Sequence, residues 1–144
     1  MQKDDMIKLG NQLCFPLYVA SRIMTKAYQP LLDNMDITYP QYLVLMVLWE
    51  KDNQHVNTIA QKLFLNTNTI TPLLQRMEKQ GIIQRKKSKE DSRKVIVSLT
   101  ELGATLKDKA YCIPEEMLKK LDISLEDIKG LKDMLDLIIY NLSK

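Results

Sequence analysis

The stretch GIIQRKKSKEDSRKVIVSLTELG, residues 81–103, decides the predicted fold. An Ile-Ile pair at 82–83 opens one β-prone run, and residues 95–99 form another. The connection between the two runs is polar and contains two serines and an aspartate that favour turns. The pattern therefore predicts a β-hairpin that directly follows a helix.

This hairpin carries most of the positive charge of the chain. Residues 85–94 hold six cations and two anions, a net charge of +4, whereas the whole chain has a formal net charge of +3. A projecting cationic hairpin suits a phosphate backbone or a minor groove. A merely solvated charged loop is the alternative for so short a run. The predicted contacts to DNA that follow from this charge are Lys86, Lys87, Lys89 and Arg93.

Two short amphipathic helices are predicted before the hairpin. The first spans about 56–63, and the second begins near Asn68 or Thr69, which would put Pro72 in or next to its first turn. Its core-facing residues are Ile70, Leu73, Leu74 and Met77. The polar residues of this recognition helix can hydrogen-bond base edges and phosphates, and the predicted contacts are Thr67, Asn68, Thr69, Thr71, Gln75 and Arg76. Two short helices followed by a hairpin indicate a winged helix-turn-helix.

The rest of the chain is predicted to be helical, so the fold class is mainly α with a small β-hairpin wing (α+β). One helix runs from about 15 to 32, and another follows Thr38, with Gln41 completing a capping box. A third runs from Thr100 to roughly residue 112, where Pro114 is expected to end it. The last begins after Ser124 and places apolar residues in alternating steps of three and four at Ile128, Leu131, Leu135, Ile138 and Leu142.

Such an apolar seam needs a partner, which favours a homodimer. We expect a single unit over 1–144, with a winged helix-turn-helix DNA-binding head at 37–99 and helical dimerisation regions at 1–36 and 100–144. A two-fold dimer would present two heads to a pseudo-palindromic DNA duplex. A monomer that packs its terminal helices on its own head is the alternative.

Composition excludes several other classes. No apolar run approaches the roughly 18 residues of a membrane span, and the first residues have no signal-peptide pattern, so we expect a cytoplasmic protein. The two cysteines, Cys14 and Cys112, lack metal-ligand spacing, and the single histidine has no partner nearby in the sequence. Neither a metal site nor a cofactor is predicted.

Several stretches resemble a known family. Residues 91–103 contain D-x-R-x-x-x-V-x-L-T-x-x-G, which is similar to the wing signature of MarR-family repressors. More narrowly, NQLCFPLY (11–18), MTKAYQPLLD (24–33), ITYPQYLVLMVLWE (37–50) and TPLLQRME (71–78) resemble the organic-hydroperoxide-sensing OhrR branch. The resemblance covers nearly the whole chain, and it implies a homodimeric repressor released from its operator when a cysteine is oxidised.

The resemblance also implies roles for single residues. Cys14 would be the reactive thiol, Tyr28 and Tyr39 would hydrogen-bond it from the partner subunit, and Asp91 would orient Arg93 in the minor groove. Cys112 is a candidate resolving cysteine or a buried structural residue. Independently, Cys14 precedes a proline by two residues, which favours a helix N-terminus whose dipole stabilises a thiolate. A small buried hydrophobe is the alternative for this cysteine.

Three functions are consistent with this sequence. The first is a repressor that responds to organic hydroperoxide through Cys14. The second is a MarR-like repressor relieved by a small aromatic or lipophilic ligand, with the cysteine incidental. The third is a thiol peroxidase, which we place last because the chain has no Cys-x-x-Cys pair or other recognisable catalytic apparatus. We therefore predict a DNA-binding protein rather than an enzyme.

Overall fold

The computed structural model describes all of residues 1–144 and contains eight α-helices and three short strands. The helices are α1 (Lys3–Met6), α2 (Cys14–Asp33), α3 (Tyr39–Glu50), α4 (Val56–Lys62), α5 (Thr67–Lys79), α6 (Glu101–Ala110), α7 (Ile113–Leu121) and α8 (Leu125–Leu142). The strands are β1 (Gln54–His55), β2 (Ile83–Lys87) and β3 (Val95–Leu99), and a 3₁₀ turn spans Leu9–Asn11. The chain divides into two compact units, Met1–Tyr111 and Cys112–Lys144. No helix is long and apolar enough to cross a membrane.

The first unit contains the predicted winged helix-turn-helix. β2 and β3 form an antiparallel hairpin in which Ile83 pairs with Leu99 and Lys87 with Val95. β1 adds a third strand against β3, so the sheet order is β1-β3-β2. The fully buried core joins α2, α3, α4, α5 and the sheet through Leu32, Leu45, Leu48, Ile59, Ile70, Leu74, Met77, Ile83 and Val97.

Local capping explains where α3, α6 and α8 begin. Thr38 and Gln41 form the predicted capping box at the start of α3, and the Ser124 side chain accepts a hydrogen bond from the Asp127 N–H at the start of α8. The Thr100 side chain caps α6 in the same way. These short-range signals were predicted correctly because they depend on neighbours in the sequence.

Two predictions about proline positions were wrong. The recognition helix α5 begins at Thr67, where Asn66 caps it, so Pro72 is its sixth residue and lies beyond the first turn. Pro72 therefore costs α5 one backbone hydrogen bond, which the buried apolar stripe of α5 offsets. Pro114 does not keep the preceding residue out of a helix, because Ile113 opens α7 and Pro114 follows as its second residue, where no intrahelical N–H is needed.

The wing is anchored to α6 by a close backbone contact. The Thr100 hydroxyl lies 2.5 Å from the Gly81 carbonyl oxygen and 2.9 Å from that of Ile82, and the Thr100 N–H donates to the same Ile82 oxygen at 3.0 Å. A Cβ on Gly103 would lie 2.2 Å from the Ile82 oxygen, so only glycine fits there. The Gly103 carbonyl accepts a hydrogen bond of 3.0 Å from the Trp49 indole. The L-T-x-x-G part of the wing motif is therefore a packing requirement.

The second unit consists of α7 and α8. Ile113 and Met117 of α7 are buried, whereas α8 has no buried residue. Exposed apolar side chains run along α8 and are Leu125, Leu131, Met134, Leu137, Ile139, Tyr140 and Leu142.

Candidate DNA-binding and redox-sensing site

The recognition helix α5 has one apolar face and one polar face, as the sequence predicts. Ile70, Leu73, Leu74 and Met77 are buried, and five of the six predicted DNA contacts on α5 are exposed. Thr71 is partly buried. The exposed side chains supply hydroxyl, amide and guanidinium groups, which can hydrogen-bond base edges and phosphates.

The wing tip holds Arg93 away from the protein surface. The Arg93 side chain is 90% exposed, yet Asp91 fixes its base through two carboxylate oxygens. Asp91 Oδ1 accepts from the Arg93 backbone N–H at 3.0 Å and from Nε at 3.1 Å, and Oδ2 accepts from Nη2 at 3.3 Å. These hydrogen bonds with Arg93 hold the pKa of Asp91 below its usual value. At neutral pH the carboxylate is therefore ionised and can keep Arg93 in position.

Arg85 has a structural partner that the sequence did not predict. Its backbone N–H donates to Glu78 Oε2 at 2.9 Å, and its Nη2 donates to Oε1 at 3.1 Å. These contacts lower the pKa of Glu78 and join the end of α5 to β2. One of the six cations counted in the hairpin therefore fixes the wing to the recognition helix.

Helix α5 and the wing line a common cleft. Its volume is about 360 Å³, and its walls include Thr67 and Thr71 of α5 and Arg93 from the wing tip. Thr58 and Gln61 of α4 also line it. These two residues were not predicted as contacts, although they lie in the helix that precedes the recognition helix. The structure thus brings polar groups of both helices and the wing tip to one concave surface.

Cys14 is exposed and is the first residue of α2. The preceding residue, Leu13, provides no side-chain cap, so the first N–H groups of α2 have no side-chain acceptor from the N-cap residue. Pro16 is the third helical residue, where its missing N–H costs no intrahelical bond and produces no interior break. The positive end of the helix dipole therefore lies at the Cys14 thiol.

Tyr28 and Tyr39 lie next to each other. Their ring centroids are 4.8 Å apart, and Tyr42 lies beside both at 6.1 and 6.3 Å. Partial burial raises the pKa of Tyr28 and of Tyr39, and the neighbouring Tyr28 raises that of Tyr39 further. Both hydroxyls are therefore neutral hydrogen-bond donors at physiological pH.

Tyr28 cannot reach Cys14 of its own chain. Cys14 and Tyr28 belong to the same helix and are fourteen residues apart, which corresponds to about 21 Å along the axis. A tyrosine side chain spans less than half of that distance. A hydrogen bond between these residues requires a second copy of the chain.

Cys112 is exposed and directly precedes α7. It lies in the second compact unit, whereas Cys14, the two tyrosines and all predicted DNA contacts lie in the first.

The structure combines a pair of helices, of which the second is the recognition helix, with an antiparallel wing whose Arg93 is held by Asp91. These elements define a winged helix-turn-helix transcriptional regulator. A family model described as "Transcriptional regulator SarA/Rot" matches residues 26–110. The organic hydroperoxide resistance transcriptional regulator of Bacillus subtilis (strain 168) is 52% identical over 140 residues, which cover 97% of this chain and 95% of that protein. The chain therefore belongs to the MarR-type family of transcriptional regulators, and within it to the organic-hydroperoxide branch.

Two solved structures of AbfR, a protein of Staphylococcus epidermidis, have the same fold. Reduced AbfR bound to DNA is 32% identical, with a TM-score of 0.82 and coverage of 99% of this chain and 100% of that one. Disulfide-formed AbfR is 34% identical, with a TM-score of 0.66 and coverage of 95% and 96%. By TM-score, the backbone of the present chain is thus more similar to the reduced, DNA-bound form than to the disulfide form. The predicted fold class and family are confirmed, and the family consists of regulators rather than enzymes.

Proposed function

We propose that this protein is a homodimeric repressor that binds a pseudo-palindromic operator while Cys14 is reduced and leaves it when an organic hydroperoxide oxidises Cys14. The observation that carries the proposal is the exposed Cys14 thiol at the uncapped N-terminus of α2. The name of the Bacillus subtilis relative, which refers to organic hydroperoxide resistance, supports this effector. A protein that acts on bacterial operators would work in the cytoplasm.

DNA binding would use the cleft between the helix pair and the wing. The exposed face of α5 would enter the major groove, and Arg93, held by Asp91, would enter the adjacent minor groove. The lysines Lys86, Lys87 and Lys89 are exposed and would contact phosphates. AbfR, whose fold this chain shares, has been solved on DNA in its reduced form.

Dimerisation is supported by two observations. Apolar side chains along α8 are exposed, and α2 separately exposes Phe15, Tyr18 and Ile23; exposed apolar helix faces of this kind mark protein–protein contact sites. In addition, the distance between Cys14 and Tyr28 along α2 requires that a hydrogen bond from Tyr28 to the Cys14 sulfur comes from a second chain. We therefore propose that 1–36 and 100–144 supply the dimer contacts and that 37–99 is the DNA-binding head.

The sensing step is a two-electron oxidation. The Cys14 thiolate attacks the terminal oxygen of the hydroperoxide, the O–O bond breaks, and a sulfenic acid forms while the alkoxide leaves and takes up a proton as the alcohol. A second thiol then attacks the sulfenic sulfur, which forms a disulfide and releases water. That thiol is either Cys112 of the partner subunit or a small cellular thiol.

Oxidation would replace a compact thiolate with a larger group beside the two tyrosines. The hydrogen bonds from Tyr28 and Tyr39 would be lost, and the two heads would no longer match successive major grooves. A change from mostly bound to mostly free requires a difference of about 5 kcal/mol between the two states. The TM-score with this chain is lower for disulfide-formed AbfR than for reduced AbfR, and this difference is consistent with a rearrangement of this kind.

A gel-shift series tests the proposal. The probe is a duplex selected from a random-sequence library by the reduced wild-type protein, and the protein is used reduced, treated with tert-butyl hydroperoxide, and treated and then re-reduced with dithiothreitol. We expect binding, release and recovered binding. Release by a phenolic compound but not by hydroperoxide would instead favour a ligand-responsive repressor, and multiple turnover of hydroperoxide would favour a peroxidase.

A further inference from the structure

A chain of side-chain amides connects the start of α3 to the end of the recognition helix. The Thr38 N–H donates to Gln41 Oε1 at 3.1 Å, and Gln41 Nε2 donates to Gln80 Oε1 at 2.7 Å. Gln80 Nε2 in turn donates to the Asp36 carbonyl oxygen at 3.1 Å. Gln80 is the C-cap residue of α5, so the first turn of α3 is joined side chain to side chain to the end of α5, and the backbone of Asp36 in the preceding loop is bonded to the same Gln80 side chain.

The orientation of both amides follows from the chemistry of the two ends of this chain. The Thr38 N–H can only donate, so Gln41 must turn its oxygen toward it, and its NH₂ group then faces Gln80. The Asp36 carbonyl can only accept, so Gln80 must turn its NH₂ group toward Asp36. Every amide group at these contacts therefore meets a complementary partner.

The chain of amides is stiff at the α3 end. Gln41 is buried, at 4% exposure, and it also belongs to the capping box of α3. Pro40 precedes it and restricts the backbone at the second residue of the helix. A buried side chain that is hydrogen-bonded at both ends has few other rotamers, so a shift at the start of α3 is passed to Gln80.

Tyr39 is the first residue of α3 and lies two positions before Gln41. In the proposed function, Tyr39 loses its hydrogen bond when Cys14 is oxidised, and a displacement of Tyr39 carries the start of α3 with it. The recognition helix has thirteen residues and is about 20 Å long. A tilt of about 10° around its C-terminal end moves its first turn by about 3 Å, which is enough to break hydrogen bonds to base edges.

We propose that Gln80 is a positioning residue that couples the sensor to the recognition helix through its hydrogen bond with Gln41. The inference rests on the proposed function, because it assigns the route by which oxidation of Cys14 reaches α5. The Gln80 side chain hydrogen-bonds neither the thiol nor a predicted DNA contact, and its backbone N–H donates to the Arg76 carbonyl oxygen within the last turn of α5. Its role is confined to the difference between the reduced and the oxidised protein.

The experiment compares full-length wild type with Gln80→Leu and Gln80→Glu. Leucine has a similar size but cannot hydrogen-bond, whereas the glutamate carboxylate still accepts from Gln41 Nε2 and loses only the bond to Asp36. Gln80 is exposed, so both variants should fold, and thermal unfolding checks this. Fluorescence anisotropy gives the Kd for the selected duplex before and after treatment with tert-butyl hydroperoxide and free cysteine, and intact mass verifies equal oxidation of Cys14.

We expect Gln80→Leu to bind DNA within about twofold of wild type when reduced and to lose less affinity on oxidation. The ratio of oxidised to reduced Kd should fall by about fivefold or more, which is the range of an ordinary allosteric coupling. Gln80→Glu should restore most of the wild-type ratio. A merely structural residue would change the reduced Kd or the unfolding temperature and leave this ratio unaltered.

Three results would overturn the inference. An unchanged Kd ratio in Gln80→Leu would show that the amide chain does not carry the signal. A large loss of reduced DNA affinity with the same ratio would make Gln80 a structural support of α5. If wild-type protein itself is not released by hydroperoxide, the proposed function fails as well, and the wild-type control distinguishes that result from the first two.

Discussion

Gly103→Ala should destabilise the protein, because the wing and α6 meet at a point where no side chain fits. The added Cβ would lie 2.2 Å from the Ile82 carbonyl oxygen and 3.1 Å from Leu99 Cδ2. Relief of an overlap of roughly 1 Å must move backbone, which costs about 1 to 3 kcal/mol. The shift also weakens the hydrogen bonds from Thr100 to the Ile82 carbonyl, which costs about 1 kcal/mol. Against this, alanine has a higher helix propensity than glycine, which stabilises α6 by up to about 1 kcal/mol.

The net expectation for this variant is a loss of about 2 kcal/mol in the free energy of unfolding, or about 1 M in the urea midpoint. Trp49 is the only tryptophan and donates to the Gly103 carbonyl, so its fluorescence follows unfolding at the altered site. The matched control is Gly130→Ala, at a helical position where a Cβ meets nothing within 4 Å; it should be neutral or stabilising by up to about 1 kcal/mol. Protein concentration is held constant because a dimer unfolds in a concentration-dependent way. A midpoint for Gly103→Ala within about 0.2 M of wild type would refute the packing argument.

Three further predictions concern the wing and the sensor. Arg93→Ala should weaken operator binding by about 1 to 3 kcal/mol at fixed salt in a gel shift, and unaltered affinity would contradict a groove contact. Tyr28→Phe and Tyr39→Phe should preserve reduced DNA binding but slow alkylation of Cys14 by iodoacetamide, since the hydroxyls stabilise an anion and not the core; an equal rate in the double variant would leave them a packing role. The lowered pKa of Glu78 means that its pairing with Arg85 contributes stability above pH 4.5 and loses it as pH falls through the folded-state value. The stability difference between wild type and Glu78→Gln should therefore shrink in urea titrations at decreasing pH, and a constant difference would argue against the ion pair.

The sequence predicted those parts of the fold that depend on local patterns. Two runs of β-prone residues joined by turn formers predicted the wing. Thr or Ser residues whose hydroxyl can accept from the N–H three residues later predicted the starts of α3, α6 and α8. β1 was not predicted, because a two-residue strand is defined only by its hydrogen-bonded pairing with β3 and has no sequence pattern of its own. The sequence does not predict α7, because a proline such as Pro114 commonly marks a helix end, although proline at the second helical position is also compatible with a helix start.

The candidate site was predicted unevenly for a similar reason. The spacing of Ile70, Leu73, Leu74 and Met77 sufficed to identify the outward face of α5. The pairing of Glu78 with Arg85 crosses a turn and requires the three-dimensional hairpin, so the charge pattern alone counted Arg85 among the six cations of the hairpin without assigning it a partner. The proposed relation of Cys14 to the tyrosines came from family resemblance alone, because a contact between two chains would leave no spacing signal in the sequence.

The most direct test of the central claim compares Cys14→Ser with Cys112→Ser in the operator gel shift with and without tert-butyl hydroperoxide. Cys14→Ser should bind the selected duplex and remain bound after treatment, because serine cannot form the sulfenic acid. Cys112→Ser should still be released, with any dependence on added thiol revealing which thiol resolves the sulfenic acid. Release of Cys14→Ser by hydroperoxide to the same extent as wild type would contradict the account.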